Sequence, residues 1–284
     1  PDSMQPNRSL VVYNLKTQLM RFFPVIIILV LFMAFPATLI AQNDMEADTV
    51  DMGFLLRKEK SANLMLHTLG FGGGYRFGVN KTYFKNRMFE FDLLEMRAPD
   101  QVRRYNENYA NPRSYVYGKL NNLFILRAGI GQQKLLNRKP YWGGIEVRGF
   151  YYGGLDIGFA KPNYLYIAYY TVIDNQIILE RNSLERYDPL EHFPYIGVNP
   201  NCLCEIYGRG PILSGVSEIK IYPGLYAKGG LNFEFSSQSD RIKSLEVGVT
   251  VDVFPKPVPV MAFKDANYYF VTGYLGFHFG KRYN

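Results

Sequence analysis

The chain has 284 residues, room for one large domain or two small ones, and carries a formal charge of +7 with a charged fraction of 20%. The basic excess is modest and spread along the chain, with no RNP-like motif, zinc-finger spacing or dense basic helix, which argues against a nucleic-acid partner. Aromatic residues reach 16%, from 23 Tyr and 21 Phe against one Trp, alongside 26 Gly. That composition suits strands that face lipid on one side and a crowded lumen on the other.

The first feature in chain order is an export signal. Phe22 to Asn43 contain no Asp, Glu, Lys or Arg, and Val25 to Phe35 are strongly apolar. Arg21 precedes this run, and Ala37-Thr-Leu-Ile-Ala41 then Gln42 follow it, giving a charged n-region, an apolar h-region and a small residue at a cleavage point. A transmembrane helix is the competing reading, but Pro24 and Pro36 shorten the uninterrupted helical part. No Cys follows, so lipid attachment is not indicated there. Met20 is a natural start for such a signal, and residues 1–19 are set aside as upstream. The expected division is upstream residues and signal peptide over 1–41, an N-terminal periplasmic segment over 42–60, and a β-domain over 61–284.

The β-domain is read from period two, since successive strand side chains point to opposite faces. Leu245, Val247, Val249, Val251 and Val253 share one face, with Glu246, Gly248, Thr250 and Asp252 on the other. Similar alternation sets Phe89, Phe91 and Leu93 against Glu90 and Asp92, and Ile145, Val147, Leu155 and Ile157 against Glu146, Arg148 and Asp156. Eight strands are predicted, at 61–78, 82–97, 115–131, 141–159, 163–173, 216–236, 241–254 and 267–281. Several reach the ~9–11 residues that cross a bilayer at a tilt. Tyr115, Tyr117, Tyr141, Trp142, Phe254 and Tyr268 at strand ends are candidates for interfacial girdles. With the export signal, this predicts an all-β, antiparallel transmembrane barrel in the bacterial outer membrane. A secreted soluble β-domain is the alternative, because a sandwich also alternates. Pro223 predicts a bulge, and Gly70 to Gly74 a bend or register shift. One conflict stands: this count puts the long connection 98–114 in the periplasm, where turns are short. Ten strands, with one hidden in 48–58 or 174–182, is the alternative.

Glu90, Asp92, Arg127, Glu146, Arg148, Lys228, Glu234 and Glu246, together with Lys220, are expected to point into the lumen. Eight strands leave an interior that side chains fill, where buried charges must pair. A closed barrel with a structural ion-pair network is therefore expected, and a small channel is the alternative. A lipid-modifying enzyme ranks lower. His67, His192 and His278 are the only His residues, none in a recognisable Ser- or Asp-containing motif, and Gly72 to Gly74 lack the Lys-Ser/Thr of a phosphate loop. No catalytic residue, metal or cofactor is indicated. Cys202 and Cys204 read as loop thiols, because a two-residue spacing on an extended chain is poor disulfide geometry. The longest loop, 174–215, is the place for recognition of another envelope protein, with Arg186, Tyr187, His192, Phe193, Tyr195 and Arg209 as candidate contacts. Outer-membrane lipid is the other expected partner.

Several stretches carry a family resemblance. They are Ser217-Glu-Ile-Lys-Ile-Tyr-Pro-Gly-Leu-Tyr226, Asp252-Val-Phe-Pro-Lys-Pro-Val-Pro-Val-Met-Ala-Phe263, Phe279-Gly-Lys-Arg-Tyr-Asn284, and Arg113 to Gln133 with Tyr117-Gly-Lys-Leu-Asn121. In these the chain resembles a family of small outer-membrane barrels from the Bacteroidota, described only as hypothetical or outer-membrane β-barrel proteins. The resemblance implies fold and location and no reaction.

Overall fold

The computed structural model describes residues 58–283 except 81–84, 100, 110–112, 139–143, 175, 195–202 and 237–239. The export signal, the cleavage point and most of the segment 42–60 lie outside the described residues, as do Tyr141, Trp142, Tyr195 and Cys202.

The alternating segments become strands that close on themselves. β1 (Lys58–His67), β2 (Gly70–Asn80) and β3 (Lys85–Met96) are followed by a two-residue ribbon, β4 (Arg103–Arg104) with β5 (Tyr115–Val116). Next come β6 (Asn121–Asn137) and β7 (Glu146–Pro162), then β8 (Tyr164–Ile173), β9 (Gln176–Arg186) and β10 (Cys204–Arg209). The chain ends with β11 (Lys220–Glu234), β12 (Arg241–Val258) and β13 (Asn267–Tyr283). The wall is a closed barrel of eight strands in the order β1-β13-β12-β11-β7-β6-β3-β2, every pair antiparallel. Following the cross-strand register once around from Lys58 leads back to β1 at Thr68, ten residues further on. The strands are therefore staggered and tilted, as closure requires.

Eight strands was the right number for partly wrong reasons. The predicted strand 61–78 is a hairpin: β1 and β2 pair in register and turn at Thr68 and Leu69. The predicted strand 163–173 is β8, which lies outside the wall in a sheet of order β10-β8-β9. Splitting one strand and removing another resolves the conflict over 98–114. The connections 97–120, 163–219 and 259–266 now share one end of the barrel. The short connections 81–84, 138–145 and 235–240 share the other, with both ends of the wall, Lys58 and Tyr283. The wall also begins at Lys58, three residues before the expected boundary.

Neither expected irregularity is present. Pro223 pairs with Ile157 without a register shift, and no bulge forms. The β11–β12 ladder starts only at Leu225, so a proline without an N–H sits where one side of the strand is already open. Gly70 to Gly74 also stay in register with both neighbours. Their role is close approach, because a Cβ at Gly74 would lie 2.0 Å from Asp92 Oδ1.

The cap is a second, smaller structure. β8 continues from β7 with only Asn163 between, so one stretch of wall runs on past the rim, and β9 folds back along it. A core of Tyr115, Leu165, Ile167, Tyr187, Cys204 and Ile206 ties this sheet to the connection 97–120. Glu205, Tyr170, Tyr109 and Asn108 add a polar link. The Tyr170 hydroxyl donates to Glu205 at 2.7 Å, Asn108 donates to it at 3.3 Å, and the Tyr109 and Tyr170 hydroxyls are bonded to each other. Cys204 is disulfide-bonded, which corrects the reading of loop thiols.

Candidate functional site

The lumen is built by the inward half of the alternation. Glu90, Asp92, Arg127, Arg148, Lys228, Glu234 and Glu246 are all buried there, with Glu146 half-buried near the short-turn end. Lys220 is a correction: it is exposed at the outer end of β11, beyond the packed interior.

At the centre stands a residue the sequence did not single out. Arg76, on β2, grips Glu246 with two hydrogen bonds of 2.6 and 2.8 Å and Glu90 with one of 3.0 Å. Lys228 reaches Asp92 at 2.9 Å and Glu90 at 3.2 Å. Arg127 takes Asp252 in a fork of two 2.7 Å bonds. Tyrosines complete the shell: Tyr226 donates to Glu90 at 2.8 Å and Tyr274 to Glu246 at 2.6 Å. The Tyr152 ring lies 4.7 Å below the Arg76 guanidinium. Asn63 on β1 donates to Asp92, so all eight wall strands contribute to one buried network. Such charges persist away from water only when paired and hydrogen-bonded.

The remaining lumen charges pair nearer the short-turn end. Glu146 and Arg148 pair with each other on β7. Glu234 is held by Arg282, at 2.5 and 2.8 Å, and Arg282 also reaches Glu59 at 3.2 Å. Lys228 pairs with β3 rather than with β7. At the other end, Met96, Leu123, Ile125, Phe254, Val258 and Phe270 form an apolar plug across the mouth. The lumen thus runs from ion pairs at the short-turn end, through the Arg76 network, to hydrocarbon under the cap.

The outer face inverts this chemistry. Leu155 is 64% exposed and its neighbour Asp156 is 1% exposed. Leu64, Phe91, Ile130, Leu225, Val249 and Leu275 are likewise exposed around the wall. A continuous apolar exterior around a charged interior is the arrangement that lipid favours and water does not. Of the residues expected in girdles, Tyr268 is exposed at the rim. Tyr115 and Tyr117 pack in or against the cap core, and Phe254 is part of the plug, so these three are corrected.

The candidate partner loop divides in the structure. Arg186 and Arg209 are exposed, with Arg186 3.8 Å from Glu218. Phe193 is half-buried. Tyr187 and His192, each 3% exposed, belong to the cap interior, which corrects their reading as contacts. Both ring nitrogens of His192 are committed. Nδ1 accepts the Asp188 N–H at 3.0 Å, leaving Nε2–H to face Glu185 Oε2 at 3.3 Å, and Tyr169 donates to the same carboxylate oxygen at 2.8 Å. Burial and that bond push the Tyr169 hydroxyl up to about 12. An imidazole fixed on both sides orients a loop and has no free nitrogen for proton transfer. Among the described residues no group of three or more His, Cys, Asp or Glu is placed to hold a metal ion.

A feature the sequence did not reveal is the free edge of β9. Among the described residues β9 pairs with β8 only, and Ile177, Ile178, Leu179 and Leu184 along it are exposed. A long apolar edge strand is a template for another chain.

A closed antiparallel barrel with an apolar exterior, both wall ends beside the short connections and its long connections opposite is an outer-membrane β-barrel, and this protein is an integral protein of the bacterial outer membrane. No protein-family model and no curated protein sequence matches the chain. Among solved structures it is similar to neisserial surface protein A, at 8% identity over 80% of this chain and 96% of that one, with a TM-score of 0.35. It is similar also to the N-terminal β-barrel domain of Pseudomonas aeruginosa OprF, at 8% identity over 79% and 97%, TM-score 0.32. The attachment invasion locus protein Ail of Yersinia pestis matches at 8% identity over 80% and 97%, TM-score 0.34.

Proposed function

We propose that the protein is a closed, non-catalytic barrel that anchors a folded platform at the outer surface for another envelope protein, and that it belongs with the Bacteroidota barrels it resembles. The observation that carries this reading is the open edge of β9, held beyond the rim by the continuation of β7 into β8. Its unpaired ladder groups fit an extended segment that adds as a fourth strand, with Ile177, Leu179 and Leu184 on one face and Ile178 on the other. The barrel interior offers no comparable surface, because its charges are spent on one another.

The test is copurification from native outer membranes after mild crosslinking. Ile177→Pro removes an N–H that faces the open edge, and one apolar contact, while leaving the barrel wall untouched. The expected result is loss of the crosslinked protein partner with unchanged barrel assembly. Equal recovery of the same partner by the wild type and the variant would overturn the β9 reading. A small channel is the second reading, and conductance discriminates it.

A further inference from the structure

Cations at the short-turn rim lie on one side of the wall. Lys58 and Lys60 on β1, Arg87 on β3, Arg241 and Lys243 on β12, and Lys281 on β13 are all exposed and alternate outward. Two carboxylates of the same rim, Glu59 and Glu234, turn inward and are held by Arg282. Asp240, beside Arg241, is an exposed carboxylate at this rim, but cations outnumber carboxylates on its outward side among the described residues.

The register concentrates the cations. Lys60 faces Lys281, and Lys281 faces Arg241, placing three cations in one row across adjacent strands. Directly opposed like charges destabilise a sheet. Among the described residues none of the three pairs with a carboxylate, and Lys60 lies 4.9 Å over the Tyr283 ring. An anion from outside the chain would relieve that repulsion. Next to it on the same face come Phe279, Phe277 and Leu275, all exposed members of the lipid-facing surface. An anion here sits at headgroup level, beside acyl chains. At the outer rim Arg97 is instead held by Glu95 at 2.9 and 3.0 Å.

We propose that the Lys60–Lys281–Arg241 row binds the phosphate-bearing headgroups of anionic phospholipids in the inner leaflet of the outer membrane. The proposal rests on the membrane placement of the barrel and deepens it to a lipid class and a leaflet. Charge complementarity and continuity with the lipid-facing surface select phospholipid over acidic polymers of the periplasm, which lie below the wall rather than against its side.

The test folds the purified barrel into vesicles of equimolar phosphatidylcholine and phosphatidylglycerol, extracts it in mild detergent and measures retained lipid by native mass spectrometry. Phosphatidylglycerol should be retained in preference to phosphatidylcholine. Each charge removed by Lys60→Gln, Arg241→Gln or Lys281→Gln should lower that preference by about fivefold. Lys281→Arg should keep it, and Arg104→Gln on the outer ribbon should leave it unchanged. Undiminished preference in the single variants and in the triple variant, all folded by heat-modifiability, overturns the proposal. So does displacement of the lipid by inorganic phosphate at millimolar concentration, which marks a site for the free ion. A barrel that inserts but retains no phosphatidylglycerol overturns this proposal alone. A barrel that inserts into no vesicle overturns the membrane reading and the proposal with it.

Discussion

At the scale of single residues, the lumen separates groups whose charge is answered from one whose charge is not. Arg76 serves Glu90 and Glu246 together, so Arg76→Met leaves two buried carboxylates with Lys228 and the neutral donors Tyr226 and Tyr274. Breaking a buried pair in this way costs about 3–5 kcal/mol, which denaturant unfolding of the barrel in detergent should register. Asp156 differs: no cation is bonded to its buried carboxyl among the described residues, and it lies against the like-charged Asp252. Asp156→Asn should therefore hold or raise stability in the same assay, because it removes an uncompensated charge.

Lys119, buried under the outer connections, has its amine lowered to about 8, by burial first and then by Arg97, Arg103 and Lys161, against the pull of Glu95. Its folded pKa lies below its unfolded value, so between pH 8 and about 10.4 the unfolded chain binds more protons and folding gains stability as pH rises. The outer cap should gain up to about 3 kcal/mol across that window, and Lys119→Met should flatten the profile. Limited proteolysis of the cap against pH measures this.

The eight lumen residues named from sequence were legible because alternation fixes which face a side chain takes. Their partners were not. Arg76 and Glu246 are 170 residues apart and meet across the lumen, and register across a closed wall is not written in any one strand. Arg76 itself was hidden in a glycine-rich stretch read as the far half of one long strand.

At the scale of elements, the sequence misread two segments for identifiable physical reasons. The β1–β2 turn at Thr68 and Leu69 has neither the Asn-Gly nor the Asp-Gly signature of a tight hairpin, so alternation ran through it unbroken. β8 alternates like a wall strand because its inner face, Leu165 and Ile167, covers the cap core. A sheet with one covered face alternates in water and in lipid alike. Exposure alone is similarly blind to the medium: Leu155 on the wall is 64% exposed and Ile177 on the cap is 58% exposed. Arginine distinguishes them. Leu155→Arg should lose about 2–4 kcal/mol of barrel stability, whereas Ile177→Arg should leave heat-modifiability unchanged. Equal effects would mean that the wall is not bounded by lipid.

At the scale of the whole molecule, two seals act in series. Ion pairs, tyrosines and Asn63, drawn together from all eight wall strands, cross the middle of the lumen, and the Met96–Phe254–Phe270 plug closes the outer mouth. The apolar plug is the stronger barrier to ions, since it holds no group to replace their water. The cap stands over this closed end as a separate folded sheet, so the recognition proposed at β9 would require no opening of the barrel beneath. The closed lumen is the claim on which a structural rather than a conducting role depends, and single-channel recording of the purified protein in planar bilayers tests it most directly. A flat current trace at applied voltages that leave the bilayer intact is expected, for the wild type and for the Ile177→Arg variant alike. Steady, reproducible openings of the wild-type barrel, altered in size by Arg76→Met, would show that ions pass through the network and would contradict the closed reading.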